Sequence, residues 1–299
     1  MMGEPARNLT QLPDEKTLVQ IERTAVEVAR LAGAEIVTAL GGMLAVKYKS
    51  DVAREEGADA TYRDPVSEVD HRVEVLLRAR IAERFPSHDI IGEEINDRPG
   101  DRPYSDFVWA VDPIDGTANF INGFPLFAAS IGVLYRGRPV AGAVWCATSH
   151  ALRAGVYHGH VGGDLHFDEV RTDLKINPLV QRRLAGDPGG GKNFGFLWDT
   201  RKTGSAAIEC AFVAAGLLRV SRFERPNIWD VAGGVALVRA ADLDVWTIEK
   251  GAWKPLDVFT GPDGDIRRWR QPLIIGDAPA VAELSGALIS NPAKAQPEK

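Results

Sequence analysis

The sequence predicts a mixed α/β (α+β) fold, and three observations carry that prediction. Residues 107–111, Phe-Val-Trp-Ala-Val, form a nearly continuous apolar run, as in a strand buried on both faces. Residues 14–40 and 65–84 repeat apolar side chains at helical spacing. Two further apolar runs, 127–134 and 140–147, are joined by Tyr135-Arg136-Gly137-Arg138-Pro139 and read as a strand pair. With 299 residues, 45% hydrophobic and 25% charged, the chain has the composition of a globular protein and enough apolar content for one large domain or two lobes.

In chain order, residues 1–13 read as a mobile leader. Asp14 can cap a helix whose inner face is Leu18, Ile21, Ala25, Val28, Ala29, Ala32 and Ile36, and Gly41-Gly42 can end it near Leu40. Residues 43–48 read as a short strand and 49–63 as an exposed polar loop. Pro65 opens a second helix to about Arg84, with Val69, Val73, Leu76, Leu77 and Ile81 on its apolar face. Ser67-x-x-Asp70 resembles a capping box, so a first-turn carboxylate is one role open to Asp70. Ser87 to Ile91 reads as a strand leaving into Gly92-Glu93-Glu94, and 95–105 as a loop. Pro113, with no N–H, is expected to stop the central strand.

Another strand is expected near Ala151 to Tyr157. His158, His160 and His166 follow, and a His-x-His pair can bind zinc. Gly163 and Asp164 favour a surface hairpin instead. Gly186 to Asn193 is a near miss to a P-loop: Asn193 stands where Ser or Thr is needed, and residues 179–184 do not read as a buried strand. That stretch is expected to be a flexible connection. Gly204-Ser205-Ala206-Ala207 opens an apolar helix to about Leu217, whose start could hold an anion. Leu218 to Phe223 reads as a strand, and Asp230 could cap a helix over 231–241. Strands at 245–248 and 272–275 and a helix over 278–288 complete the pattern. This divides the chain into an N-terminal α+β lobe (14–150), a C-terminal α/β lobe (151–288) and a mobile tail (289–299).

Net charge is −6 with no long basic run, so nucleic acid is not an expected partner. An acidic chain can still take a phosphate substrate where bound metal inverts the local field. Cys146 and Cys210 lie far apart in apolar surroundings and read as buried free thiols of a reducing compartment. The N-terminal residues lack an apolar signal core and no segment reaches the ~20 apolar residues of a membrane span, so a cytoplasmic protein without a membrane partner is expected.

The central strand ends in Asp112 and Asp115, followed by Gly116 and Thr117. Oxygen ligands suit magnesium, and backbone N–H groups after a glycine suit a phosphate. Ordinary turn chemistry also explains Asp-Pro and Asp-Gly. A calcium loop does not fit acids three residues apart, and an Asp-x-Asp-x-Thr nucleophile loop would need its first Asp at Pro113. Glu93 leaves a second buried strand, and Asp70 and Asp230 stand at helix starts. Acids gathered at one edge repel unless cations bridge them. Two magnesium ions about 3.5–4 Å apart sharing a carboxylate would make a phosphoryl-transfer site.

Gly92-Glu93-Glu94, Asp112-Pro113-Ile114-Asp115-Gly116-Thr117-Ala118-Asn119-Phe120 and Trp229-Asp230-Val231-Ala232-Gly233-Gly234 together resemble the inositol monophosphatase family. The likeness is good over 15–150, moderate over 200–241 and weak over 158–195. It implies a layered α-β-α-β-α sandwich, the fold type of inositol monophosphatase and fructose-1,6-bisphosphatase. It implies a homodimer, and lithium-sensitive hydrolysis of a small phosphorylated metabolite by metal-activated water, with two or three Mg2+ per site. Carried over by motif, Glu93, Asp112 and the Ile114 carbonyl would hold one ion, and Asp112, Asp115 and Asp230 a second. Asp70 would serve a third, weaker ion and fix Thr117, which with Glu93 would orient the attacking water. Gly116, Thr117, Ala118, Gly204, Ser205, Ala206 and Glu224, with Asp115 and Asp230, would contact substrate.

The sequence departs from the family pattern in three places. Ala118 stands where a second Thr is frequent, Glu224 lies five rather than six residues before Trp229, and Ala240-Ala241-Asp242 replaces a usual Ala-Gly-Gly. Inositol specificity is thus open, and 3′-phosphoadenosine phosphate, histidinol phosphate or fructose 1,6-bisphosphate are alternatives. Asn119-Phe120 favours the inositol branch. A non-catalytic, transcription-accessory role is a rival, against which the full set of acids argues.

Overall fold

The computed structural model describes residues 12–40, 46–48, 65–97, 102–172, 177, 179–190 and 198–286. The expected leader up to residue 11, the Gly41-Gly42 stop, the start of the expected 43–48 strand, the 49–63 loop, Asn193 and the tail lie outside them.

Helix α1 (Glu15–Ala39) starts where Asp14 Oδ1 accepts the Thr17 N–H at 3.0 Å, and its expected apolar stripe is buried. Strand β1 (Val46–Tyr48) pairs antiparallel with β2 (Pro65–Ser67). Helix α2 therefore spans Glu68–Arg84 and does not open at Pro65. A proline is tolerated as the first residue of a strand, and pairing with β1 wins over the helical pattern there.

A seven-stranded sheet follows. Its strands are β3 (Asp89–Gly92), β4 (Phe107–Asp115) and, after the short helix α3 (Thr117–Ile121), β5 (Ala128–Tyr135), β6 (Arg138–Cys146), β7 (Gly155–His160), β8 (His166–Phe167) and β9 (Val170–Arg171), laid side by side in that order. Only the β3–β4 pairing is parallel. Pro113 does not end β4; the strand continues to Asp115 with a register shift between Asp112 and Asp115. The bulge leaves no ladder bond for the missing N–H to make.

The remaining elements are β10 (Arg183–Gly186), β11 (Trp198–Arg201), α4 (Ala206–Ala214), β12 (Val220–Phe223), α5 (Ile228–Ala240), β13 (Asp244–Glu249), β14 (Ala252–Pro255), β15 (Leu273–Gly276) and α6 (Ala278–Leu284). They give a six-stranded sheet ordered β11-β10-β12-β15-β13-β14. Here the reading of 179–184 as no strand is corrected at its end: β10 begins at Arg183 and runs parallel to β11 and β12 with Ala185 and Gly186 buried. Four residues that begin with Arg183 and follow Arg182 carry no period that sequence can show.

Helices α1 and α2 cover one face of the first sheet through a core that includes Ile21, Leu77, Trp109 and Ile131. Helices α4 and α5 fill the space between the sheets, and α6 packs on the outer face of the second. The layers run α-β-α-β-α. Cys146 and Cys210 are buried free thiols. Among the described residues, no helix is long and apolar enough to cross a membrane.

Candidate active site

Glu93, Asp112, the Ile114 backbone, Asp115 and Asp230 converge on a cleft of ≈ 210 Å³, where β3 and β4 end and α5 begins. Gly116, Thr117, Ala118 and Gly204 complete its wall. An adjoining cleft of ≈ 360 Å³ shares Asp115, Gly204 and Asp230, and extends to Ala206, Asp187, Arg222, Glu224 and Arg225. Residues from 70 to 230 in sequence thus meet at one edge of the sandwich. Two of them stand behind the cleft. Asp70 is fully buried and reaches it through Thr117, and Ser205 is turned toward Asp115.

Each acid is held by its own element. Asp112 Oδ1 accepts the Ile114 N–H at 3.0 Å, so the carboxylate braces the β4 bulge that bears it. Gly116 follows with φ 88°, a conformation that disfavours other residues, and turns the chain into α3. The Thr117 hydroxyl lies 3.0 Å from Asp70 Oδ1 and 2.9 Å from the Ile114 carbonyl. Asp115 Oδ2 accepts the Ser205 hydroxyl at 2.5 Å and the Ala207 N–H at 2.6 Å, and so caps α4 across the gap between sheets. Asp230 is the third residue of α5; it accepts the Asn227 N–H at 2.8 Å and the Asn227 side-chain amide at 3.1 Å. Capping was one role open to Asp230 in the sequence; Asn227 holds the cap position, with Asp230 as its partner in a capping box.

Glu74, Asn119 and Glu209 carry supporting roles that the sequence reading did not assign. Glu74 is fully buried in α2 and accepts the N–H groups of Glu94 at 2.6 Å and Ile95 at 3.1 Å, fixing the loop that carries Glu93. Arg78 donates to Glu74 at 2.8 Å and to the Ile95 carbonyl at 3.0 Å. A Cβ on Gly92 would sit 2.2 Å from Glu74 Oε1, so only glycine permits this approach. Asn119 donates to the carbonyls of Leu126 at 2.6 Å and Thr203 at 2.8 Å, tying α3 to the loop before α4. Buried Glu209 accepts the Thr203 hydroxyl at 2.7 Å and bonds to Ser221. Glu74 had a sequence signal, since it shares a helix face with Asp70 and Leu77; an acid on an apolar face needs a buried partner.

Burial pushes the Asp115 carboxyl up to about 6, against the Ser205 and Ala207 donors. Burial, with the charges of Glu93 and Asp115, raises Asp230 well above the ordinary carboxylate range. Among the described residues, no Lys, Arg or His lines the inner cleft to offset these charges. Four carboxylates and a backbone carbonyl gathered at one cleft form a donor set that fits hard cations, magnesium above all.

The profile of the inositol monophosphatase family matches residues 18–277. The chain belongs to that family. Membership places it among metal-dependent phosphatases. It is 27% identical to the fructose-1,6-bisphosphatase/inositol-1-monophosphatase of Aquifex aeolicus over 79% of this chain and 88% of that protein. It is 33% identical to the Nus factor SuhB of Escherichia coli over 73% of this chain and 81% of that one. Among solved structures, the Thermotoga maritima IMPase superposes with a TM-score of 0.69 at 22% identity, covering 90% of this chain and 96% of that one, and shares the inositol monophosphatase fold.

Proposed function

We propose that this chain is a magnesium-dependent phosphomonoesterase acting on a small polyol or sugar phosphate of the inositol monophosphate kind. The observation that carries this is the convergence of Glu93, Asp112, Asp115 and Asp230 on one cleft beside the Gly116-Thr117 turn. Glu93, Asp112 and the Ile114 carbonyl would hold one ion; Asp112, Asp115 and Asp230 a second; and Asp70, behind Thr117, would serve a third. Bound magnesium would supply the positive charge that makes hydroxide available near neutral pH and stabilises the leaving alkoxide.

The chain's own part is positioning. Thr117 can donate its proton to Asp70, which leaves its oxygen to accept from the attacking water, and Glu93 orients that water from the other side. The backbone N–H groups of Gly116 and Thr117 face the phosphate in this reading. The leaving group extends into the outer cleft, where Asp187 and Glu224 supply acceptors for hydroxyls. Phe223, at the offset where inositol-binding members carry Glu, is buried in β12, so Glu224 takes over that wall.

A second reading is a sugar bisphosphate, favoured by Arg222 and Arg225 in the outer cleft as partners for a second phosphate. Phosphate release from inositol 1-phosphate and fructose 1,6-bisphosphate, with and without magnesium, tests both. Asp112→Asn keeps an acceptor for the Ile114 N–H, so the fold should persist while magnesium-dependent turnover is lost. Folded wild type inactive on both substrates would sink the proposal.

A further inference from the structure

A second cluster of ligating side chains stands apart from the acidic cleft, between α1 and the β7–β8 hairpin. Glu22, His158 and His166 each offer one ligand atom, and these atoms lie within 4.8 Å of one another. The two histidines are register partners across β7 and β8, with rings stacked at 5.3 Å and 13°. His158 Nε2 lies 2.7 Å from the Asp168 carbonyl, and His166 Nδ1 lies 3.2 Å from the Asp164 carbonyl. A carbonyl can only accept, so those two nitrogens carry the protons. In the neutral rings, His158 Nδ1 and His166 Nε2 then hold lone pairs.

This is how metal-binding histidines are set: the far nitrogen donates to a carbonyl, which fixes the tautomer and aims the near one. Glu22 is oriented likewise. Its Oε1 lies 2.5 Å from His158 Nδ1, and its Oε2 bonds to His160 Nδ1. The Glu22 and His158 side chains are 12% and 15% exposed, at the wall of a groove of ≈ 700 Å³ that leaves a further position open to water. His160 is therefore a support and not a ligand, and the hairpin and the metal reading of the histidines are compatible.

We propose that Glu22, His158 and His166 form a site for a divalent transition metal of the zinc class, separate from the magnesium cleft. Two imidazoles and a carboxylate suit Zn2+, and three protein ligands with one open position match a known four-coordinate arrangement. Tetrahedral bonds of ~2.0–2.1 Å place ligand atoms roughly 3.3 Å apart, so the Glu22 carboxylate has to draw back by under an ångström. The ion replaces the proton shared by Glu22 and His158, which is released to solvent. Bound metal would staple α1 to the hairpin.

The test is titration of the full chain with Co2+, then displacement by Zn2+, in excess magnesium so that the acidic cleft does not compete. Wild type and Asp112→Asn should each take one equivalent and show the intense visible band of four-coordinate cobalt. His166→Ala should lose at least about tenfold in affinity, and His160→Gln, which removes the support of Glu22 and a contact with Glu15, about 10–100-fold. A thermal melt checks that both variants are folded. The proposal falls if wild type binds no Co2+ under magnesium. It also falls if His166→Ala binds as wild type does, or if Asp112→Asn abolishes binding, which would place the ion in the acidic cleft.

Discussion

Replacing Glu74 separates a structural role from a positioning one. Its Oε2 accepts the Glu94 N–H at 2.6 Å, and its Oε1 accepts both the Ile95 N–H at 3.1 Å and Arg78 Nε at 2.8 Å. A glutamine in the same place can offer its oxygen to one side only. With oxygen at the Oε1 position, Ile95 and Arg78 stay paired and the new amide faces the Glu94 N–H, donor against donor. The opposite flip strands Ile95 and Arg78. At least one buried N–H loses its acceptor, a cost of about 1–3 kcal/mol. Glu74→Ala removes the acceptor of all three donors, though Arg78 keeps Asp97 at 2.7 Å and the Ile95 carbonyl, and should cost at least as much. Because Glu94 is next to Glu93, relief of the clash moves the proposed water-orienting carboxylate. A displacement near 1 Å can lower turnover by about 10²-fold. The assay is phosphate release against magnesium concentration, with denaturant melts of the same samples. Glu74→Gln should be folded, about 10–100-fold slower, and should need more magnesium for half-maximal rate. Loss of stability with unchanged turnover and unchanged magnesium dependence would show that Glu74 serves the fold alone.

Thr117→Val removes the hydroxyl between Asp70 and the Ile114 carbonyl; turnover should fall by about 10²-fold or more with KM little changed, as steady-state kinetics would show. Burial pushes Glu209 up to about 8, so the folded state keeps a proton that the unfolded chain releases near its ordinary pKa of 4.5. Stability should therefore fall as pH rises from about 4.5 to 8, and melts of Glu209→Gln should lack that component. Burial raises the Glu22 carboxyl, but its bonds to His158 and His160 prevail and hold it down at about 2. His158 is raised by Glu22 and the Asp168 carbonyl against burial and Arg30, and His160 by Glu22 and Glu15. In metal-free protein this clamp should stabilise fully between about pH 4.5 and 6.5 and weaken above, as the histidines deprotonate. Glu22→Gln should flatten that part of the melting profile, and an unchanged profile would refute the clamp.

The long periodic elements were legible in the sequence because one physical rule fixed each of them. The stripe from Leu18 to Ile36 needs a core, and Asp14 marks where it starts. The run from Phe107 to Val111 needs burial on both faces. Short elements were not legible, because they exist through partners distant in sequence. Arg183–Gly186 is a strand only because Trp198–Arg201 and Val220–Phe223 flank it. Pro65–Ser67 is a strand only because Val46–Tyr48 pairs with it. The acids of the candidate site were legible as a group, since mutual repulsion makes their gathering improbable without a cation. Of their supports, Glu74 was signalled by its place on the apolar face of α2, but the loop it holds was not, because Glu94 and Ile95 lie 20 and 21 residues on.

Those supports follow one rule on both sides of the site. The walls of the cleft include irregular segments, Glu93 to Ile95 and Thr203 to Ser205, whose polar groups cannot all be satisfied by a ladder. A buried glutamate stands behind each: Glu74 accepts from Glu94 and Ile95, and Glu209 accepts from Thr203. Each also presses on a glycine, for a Cβ on Gly92 would come within 2.2 Å of Glu74 and one on Gly186 within 2.3 Å of Glu209. Their partners differ. Glu74 is paired with Arg78, whereas burial and the nearby charge of Asp187 favour the protonated form of Glu209 against the hydroxyls of Ser221 and Thr203 and the Thr203 backbone. The wall bearing Glu93 is therefore braced by an ion pair. The wall bearing Gly204 is braced by a group that ionises near pH 8, so alkaline conditions should loosen the substrate side.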